Sequence, residues 1–354
     1  MITRLTQKET SNIYKASDIK LKSPIFIFGC GRSGTTLLLN ILGKHPNIYP
    51  VKEESNLFVR HKTTNNFFFE EYEKESNFEK LTLAILASFF YHGDKSSLMI
   101  KNNCFPDDVI NMFSCIKVLD DFKTLRNKYE VFNLCTHYLT LKENKRRWVE
   151  KTPNNIFNTS FILDLYPDAK FIEIYRDPRA VCLSWLNAKF GYFKTSNLLE
   201  CIKVWRSAIS QGLDSRNKIP ERYIQVKYED LINSPKDELK RICDFIGEEF
   251  DPCMLDVEIV SNFFQDLEKE KGISKIPLYR WTKIFKSHEL LFVDLLTKKY
   301  RQNLNYPDSG VKLNIFNFLP FLLFSIKECF RGRKQLIYYF KSKLRFNLFH
   351  DFFV

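Results

Sequence analysis

One stretch near the N-terminus, PIFIFGCGRSGTTLLLNIL at residues 24–42, constrains the fold of this chain most strongly. Its first part, Pro24–Phe28, is a short run of apolar, β-prone residues, which is typical of a strand buried on both faces of a parallel sheet. Small residues follow directly in the loop Gly29–Gly34, and an apolar helix begins near Thr35. Because free backbone amides and the helix dipole meet at the start of such a helix, this segment predicts an anion site of the phosphate-loop type.

The loop differs from that of the nucleotide triphosphatases in the position of its cation. Those proteins carry GxxxxGK[ST], in which the Lys reaches the β- and γ-phosphates and the hydroxyl binds Mg²⁺. Here Gly29 and Gly34 keep the spacing, but Thr35 stands at the position of the Lys, and Arg32 lies inside the loop. The loop is therefore suited to a 5′-phosphate and poorly equipped for a γ-phosphate and its metal. A nucleotide-dependent kinase or phosphotransferase, which would need ATP and Mg²⁺, remains the alternative.

The sequence GRSGTTLL after a strand resembles the 5′-phosphosulfate loop of the sulfotransferases, which use 3′-phosphoadenosine 5′-phosphosulfate (PAPS) as sulfonate donor. The resemblance implies an α/β fold of the P-loop-like type, with a central parallel sheet flanked by helices. It also implies that the loop holds the 5′-phosphate of the donor, through Gly31, Arg32, Ser33, Gly34, Thr35 and Thr36. The product would be adenosine 3′,5′-bisphosphate, and the reaction would require no metal.

A second junction of a strand with a helix supports the same family. Residues 169–175, AKFIEIY, predict a buried strand, and Arg176 follows at its carboxyl end, where α/β folds bind ligands. Ser184 lies about two turns into the next helix. This pattern resembles the 3′-phosphate motif of PAPS enzymes, which implies that Arg176 and Ser184 clamp the 3′-phosphate, since a guanidinium bonds two phosphate oxygens at once. Tyr228, after a third predicted strand, either contacts the nucleotide or orients the strand end.

An acidic pair follows the first helix. That helix ends at His45-Pro46, and Glu53-Glu54-Ser55 comes a short strand-like run later, so its carboxylates can return to the mouth of the phosphate site. The pattern resembles the tyrosylprotein sulfotransferases and related bacterial enzymes, in which this Glu is the catalytic base. The match indicates Glu54, with Glu53 as the alternate because the spacing from His-Pro is one residue longer. An exposed acidic turn without a role is the competing interpretation.

Residues 147–155, RWVEKTPNN, predict a short strand that ends at Lys151 and a turn that begins at Thr-Pro. Related sulfotransferases carry a Lys here that reaches the transferring sulfonate. The resemblance therefore implies that Lys151 and Arg32 stabilise the charge that grows during transfer, while Glu54 acts as base. Without the resemblance, Lys151 would pass as a surface residue.

The composition is that of a globular protein with a preference for anionic partners. The chain has 354 residues, of which 44% are hydrophobic and 27% charged, and its net charge is +12. Its cysteines show neither CxxC pairs nor a metal spacing with His, which favours a reducing compartment. Residues 1–23 are polar and contain no apolar segment of signal-peptide length, so the sequence predicts a cytoplasmic active site.

We divide the chain into an N-terminal arm (1–23), a sulfotransferase domain (24–305) and a basic, aromatic, helical C-terminal extension (306–354). Residues 314–326, NIFNFLPFLLFSI, are intensely apolar but short, and Pro320 interrupts them. Basic and aromatic residues alternate after them. This pattern predicts either peripheral contact with the inner membrane surface or a partner-binding face, and equally a helix hairpin packed on the domain. No nucleic-acid-binding motif accompanies it.

Several acceptor classes stay open: carbohydrate, lipid, small alcohol, amine and peptide tyrosine. The Glu-type base favours a sugar hydroxyl or a tyrosine, and the C-terminal extension favours a membrane-associated glycan or lipid. A non-catalytic membrane or partner-binding protein that kept the nucleotide fold ranks last, because Glu54, Arg176 and Ser184 are all present.

Overall fold

A five-stranded parallel sheet forms the centre of the protein. The computed structural model describes residues 21–59, 64–91, 93–188, 197–257 and 278–331. The strands are β1 (Ile25–Phe28), β2 (Ile48–Pro50), β3 (Arg147–Lys151), β4 (Lys170–Tyr175) and β5 (Tyr223–Lys227). Their order is β2-β3-β1-β4-β5, and every pair is parallel. The predicted fold class is therefore confirmed.

Helices cover both faces of this sheet, as predicted. They are α1 (Thr35–Lys44), α2 (Thr64–Lys74), α3 (Phe78–Phe90), α4 (Gly93–Asn102), α5 (Asp107–Lys117), α6 (Lys128–Lys142), α7 (Thr159–Leu165), α8 (Pro178–Leu186), α9 (Leu198–Lys218), α10 (Tyr228–Asn233), α11 (Pro235–Ile246), α12 (Trp281–Ile284) and α13 (Ser287–Asn303). A further helical stretch, residues 315–331, is called the C-terminal helix below. It continues through Pro320, which in its second turn removes only one intrahelical hydrogen bond.

Two apolar cores lie on opposite faces of the sheet. Side chains alternate along a strand, so Phe26 and Phe28 of β1 belong to one core, and Ile25 and Ile27 belong to the other. All four side chains of β1 are fully buried in these cores. This two-sided burial is the reason why the strand consists of apolar residues throughout.

The strand order changes direction at β1, and this places the functional segments at one edge. The chain runs from β1 outward to β2 on one side, and later to β4 and β5 on the other. In such sheets ligands bind outside the carboxyl ends of the strands, next to the point where the order reverses. At this edge β1, β3, β4 and β5 deliver, respectively, Gly29, Lys151, Arg176 and Tyr228.

The predicted N-terminal arm and C-terminal extension are described only in part. Residues 1–20 and 332–354 lie outside the described residues, and the domain boundaries near residues 23 and 305 stay predictions. Among the described helices, none combines the length and the apolar character needed to cross a membrane.

Candidate active site

The loop after β1 comes too close to its neighbours for a side chain at two positions. Gly29 has a φ of 147°, and a Cβ added there would lie 2.2 Å from the carbonyl oxygen of Ile174. Gly34 has a φ of 103°, and its Cβ would lie 2.5 Å from the ring of Tyr228. Glycine avoids both the strained backbone and the clash. The loop can therefore pack directly on β4 and on the start of α10.

The start of α1 presents polar groups that the described residues leave without partners. Gly34 is the N-cap of α1 and has no side chain to accept from the first amides of the helix. The hydroxyl of Ser33 is fully buried and has no hydrogen-bond partner among the described residues. Thr35 is buried as well, whereas Thr36 is exposed. A buried hydroxyl beside an uncapped helix N-terminus fits an anionic ligand such as a phosphate.

The two predicted phosphate motifs contact each other directly. Arg32 Nε donates to Ser184 Oγ over 3.0 Å, and Trp185 Nε1 donates to the carbonyl oxygen of Gly31 over 2.9 Å. Burial lowers the pKa of the Arg32 guanidinium, and the positive charge of Arg176 lowers it further. The loop after β1 and the helix α8 thus form one site, in which two guanidinium groups share an electrostatic environment that favours an anion.

Arg176 lies at the end of β4, and its guanidinium stacks on the ring of Tyr228. The guanidinium carbon is 4.2 Å from the ring centroid, and both residues are buried. The Arg176 carbonyl oxygen accepts a hydrogen bond of 3.0 Å from Trp205 Nε1. The same tyrosine ring lies next to Gly34, so Tyr228 packs against both the loop and Arg176. This packing is the structural role of Tyr228; a contact with nucleotide stays a prediction.

The nearby Arg179 has a different role from Arg176. It is 1% exposed, its Nη2 lies 2.6 Å from Asp177 Oδ2, and its guanidinium stacks on Trp281. Asp177 also accepts from the backbone amide of Arg179 and so caps α8. These contacts occupy Arg179 within the fold, and they fix the turn from which Arg176 projects.

Glu54 and Lys151 form an ion pair at the same edge of the sheet. Lys151 Nζ lies 2.6 Å from Glu54 Oε1; the lysine side chain is 5% exposed and the glutamate side chain 41% exposed. Glu54 is therefore the member of the acidic pair that contacts Lys151. Its negative charge also acts on Arg32, where it opposes the lowering of the pKa by burial. The structure thus brings the three predicted catalytic side chains, Glu54, Arg32 and Lys151, into one neighbourhood.

A buried carboxylate that the sequence analysis missed holds this arrangement together. Glu150, beside Lys151 on β3, accepts hydrogen bonds from the Ser55 hydroxyl at 2.8 Å, from the Ser55 amide at 3.3 Å and from Asn155 Nδ2 at 2.8 Å. It also accepts from the Thr152 hydroxyl, and the Thr152 oxygen in turn accepts from the amide of Asn56. Glu150 therefore ties the loop that carries Glu54 to the end of β3. The signal for Glu150 in the sequence was an acidic residue within a predicted strand.

Burial changes the pKa of Glu150. The residue is completely buried, and this raises the pKa of its carboxyl group to about 7, although its hydrogen bonds and Lys151 act in the opposite direction. Glu173 on β4 is its counterpart: it is also fully buried, accepts from Tyr223 and Gln225, and has a pKa raised to about 7 by burial. The two central strands next to β1 thus each carry one buried glutamate.

Comparison with known proteins identifies the family. Residues 24–252 match the model of the sulfotransferase family. The chain is 30% identical over 159 residues to a putative protein-tyrosine sulfotransferase of Caenorhabditis briggsae, covering 42% of this chain and 56% of that protein. It is 24% identical over 235 residues to the protein-tyrosine sulfotransferase of Drosophila melanogaster, covering 65% of this chain and 39% of that protein. The chain thus spans 39–56% of the length of these two relatives.

Solved structures agree with the fold. A sulfotransferase domain from the olefin synthase of Synechococcus PCC 7002 superposes with a TM-score of 0.54 at 23% identity, covering 81% of this chain and 96% of that one. A sulfotransferase domain from the curacin biosynthetic pathway gives a TM-score of 0.52 at 19% identity, covering 81% of this chain and 99% of that one. Because the family model matches more than half of the 354 residues, the chain belongs to the sulfotransferase family.

Proposed function

We propose that this protein transfers a sulfonate group from PAPS to a hydroxyl or amine acceptor. The observation that carries the proposal is the hydrogen bond between Arg32 and Ser184, which joins the predicted 5′-phosphate loop to the predicted 3′-phosphate motif. A ligand with phosphates at both ends of one ribose would engage both motifs together. Family membership supports sulfonate transfer and does not support the kinase alternative.

The donor would be held by groups that the fold already orients. In this proposal the amides at the start of α1, the buried Ser33 hydroxyl and the Thr35 hydroxyl bind the 5′-phosphate. Arg176 and Ser184 bind the 3′-phosphate, and Tyr228 keeps the guanidinium of Arg176 in place through stacking. The adjacent positive charges of Arg32 and Arg176 make the site selective for a ligand with more than one phosphate group.

Glu54 would act as general base. The acceptor oxygen or nitrogen attacks the sulfur and forms a new bond to it, the bond between sulfur and the 5′-phosphate oxygen breaks, and Glu54 takes the proton of the acceptor. General base catalysis of this kind accelerates a reaction by about 10²- to 10⁴-fold. The electron pair of the broken bond remains on the phosphate oxygen, where Arg32 and Lys151 stabilise the added charge.

The ion pair between Glu54 and Lys151 would couple these two roles. A carboxylate that takes up a proton loses its charge and with it most of its attraction for the ammonium group 2.6 Å away. We infer that the Lys151 ammonium then acts more strongly on the sulfonyl and phosphate oxygens. Proton uptake by the base and stabilisation of the leaving group would thus occur in the same step.

Calorimetric titration tests the donor directly. Adenosine 3′,5′-bisphosphate should bind without added metal, more tightly than AMP or ATP·Mg²⁺, and Arg176→Ala should weaken its binding by about 10- to 100-fold, as expected for the loss of charge-assisted hydrogen bonds. Preferential binding of ATP·Mg²⁺ would overturn the proposal in favour of a kinase.

Hydroxyl acceptors are the first to test, beginning with tyrosine in a peptide. Two of the relatives are named as protein-tyrosine sulfotransferases, one of them as putative, and Glu54 supplies the type of base that the resemblance to that group predicts. Transfer of ³⁵S from labelled PAPS to tyrosine peptides, to glycans and to lipid alcohols would compare the classes in one assay. The predicted cytoplasmic location is part of this proposal, and the cysteine pattern supports it.

A further inference from the structure

The C-terminal helix, residues 315–331, packs on the domain with one side only. Phe324 contacts Phe292 of α13 edge to face, with ring centroids 5.5 Å apart. Glu328 is 2% exposed and accepts a hydrogen bond of 3.2 Å from the backbone amide of Leu199, in the first turn of α9. Phe321 also packs against the core. These contacts fix the orientation of the helix and define which side faces outward.

The outward side is an apolar stripe. Its seven large side chains are 42–88% exposed, and they are Ile315, Phe316, Leu319, Leu322, Leu323, Ile326 and Phe330. At about 100° per residue, they fall within a sector of about 120° on the helix, opposite the side that carries Phe321, Phe324 and Glu328. Exposed apolar side chains are common singly, but a contiguous set of this size marks an interaction surface.

The C-terminal part of the sequence, which includes the apolar stripe, is basic. Residues 306–354 contain eight Lys or Arg residues and three acidic residues, Asp308, Glu328 and Asp351. Glu328 is buried on the packed side of the helix, where it also pairs with Arg331 at 3.6 Å. Lys312 and Lys327 are exposed close to the stripe. Among the described residues, the exposed charges of Lys312 and Lys327 next to the stripe are positive, so a matching partner is apolar and negatively charged.

We propose that the apolar stripe of the C-terminal helix lies in the interface of an anionic lipid bilayer. A helix that inserts apolar side chains between acyl chains while Lys and Arg contact the headgroups binds in the plane of the membrane without crossing it. Charge favours this partner over a second copy of the chain, because a second copy would bring the same positive charge to the contact. The proposal does not depend on the identity of the donor or of the acceptor.

Vesicle flotation with the full-length protein tests this proposal. The probes are vesicles of phosphatidylglycerol mixed with phosphatidylcholine, and vesicles of phosphatidylcholine alone. Leu323→Gln should lower partitioning onto the anionic vesicles by about tenfold, since one leucine contact with the acyl chains is lost. The matched control is Leu295→Gln on α13, a leucine that is 62% exposed, against 59% for Leu323. This control should change partitioning by less than about twofold.

Charge and alternative occupants are tested in the same assay. Lys312→Gln combined with Lys327→Gln should weaken binding to the anionic vesicles, and raised salt should do the same, because screening shortens the reach of both charges. Equal partitioning of Leu323→Gln and Leu295→Gln would overturn the proposal, as would the absence of binding to anionic vesicles. A concentration-dependent dimer that Leu323→Gln abolishes, without lipid binding, would overturn it in favour of a second copy.

Discussion

The proposed donor half of the candidate site, which is the loop after β1 with Arg176, is positioned by close backbone packing. The proposed catalytic half, Glu54 with Lys151, is held by contacts between side chains. In the donor half, Gly29 and Gly34 let the loop pack on β4 and on Tyr228 without any side chain between them. In the catalytic half, the hydrogen bonds from Ser55 to the carboxylate of Glu150 and the ion pair of Glu54 with Lys151 attach the loop that carries Glu54 to β3. A Cβ added at Gly29 or Gly34 would disrupt the packing of the donor half. A change in the charge or shape of Glu150 would disrupt the catalytic half.

The largest expected effect is that of Glu54, the proposed base. Glu54→Gln should lower kcat by about 10²- to 10⁴-fold, because the amide cannot accept the proton of the acceptor. The affinity for adenosine 3′,5′-bisphosphate should stay near that of the unchanged protein, since the nucleotide is assigned to the donor half. Steady-state kinetics combined with calorimetry would separate the two quantities.

Glu53→Gln is the matched control for this substitution. It makes the same chemical change one residue earlier, whereas the ion pair with Lys151 is formed by Glu54. We expect kcat to fall by less than about threefold. A larger loss in Glu53→Gln than in Glu54→Gln would transfer the role of base to Glu53.

A second prediction tests the backbone of the donor half. Gly34→Ala should lower the free energy of unfolding by about 2–4 kcal/mol, because the left-handed backbone strain is combined with a clash against the Tyr228 ring. Bisphosphate binding should weaken as well, since the loop must move away from Tyr228. Denaturant unfolding and calorimetry measure the two effects.

Gly247→Ala separates strain from the clash. Gly247 also has a positive φ, of 72°, but a Cβ added there meets nothing within 4 Å. Its replacement should therefore lower stability by about 1–2 kcal/mol and leave bisphosphate affinity unchanged. Equal losses of stability for the two variants would show that Tyr228 accommodates the methyl group, and that the close packing at Gly34 is not needed.

The third prediction addresses the catalytic half. Glu150→Gln should lower kcat by up to about 100-fold, because a displacement of the Glu54 loop by about 1 Å removes much of the benefit of correct positioning. KM for the donor should change little. Glu173→Gln provides the comparison, since it changes an equally buried glutamate whose hydrogen bonds come from Tyr223 and Gln225 on β5. This variant should keep kcat within about threefold. Equal losses of kcat would mean that both substitutions act through general destabilisation.

Local sequence patterns were sufficient for the parts of the site that local structure builds. The sequence predicted β1 and β4 because strands buried on both faces consist mainly of apolar residues. It also placed Arg176 and Lys151, because both stand at strand ends. The contact that distinguishes Glu54 from Glu53 is visible only in the structure, since it joins Glu54 to a residue 97 positions away. The network around Glu150 has the same origin: Ser55 and Glu150 are 95 positions apart. Propensity and periodicity carry no information about such long-range pairs of side chains.

The smallest expected effect concerns the pH dependence of stability. Burial raises the pKa of both Glu150 and Glu173 to about 7 in the folded protein, compared with about 4.5 in the unfolded chain. Between these values the folded state binds the proton and the unfolded state does not, so stability is greatest below about pH 4.5 for these two groups. Their contribution is lost as the pH rises through about 7.

Glu173→Gln should therefore flatten the pH dependence of unfolding. The neutral amide avoids the burial of a charge, so the variant should gain on the order of 2 kcal/mol relative to the unchanged protein between pH 5 and pH 8. Urea unfolding at several pH values measures this difference. A parallel dependence on pH in both proteins would mean that Glu173 keeps an ordinary pKa in the fold. In that case the hydrogen bonds from Tyr223 and Gln225 would offset the effect of burial on the pKa of Glu173. The pH dependence of stability would then come from Glu150 and not from Glu173.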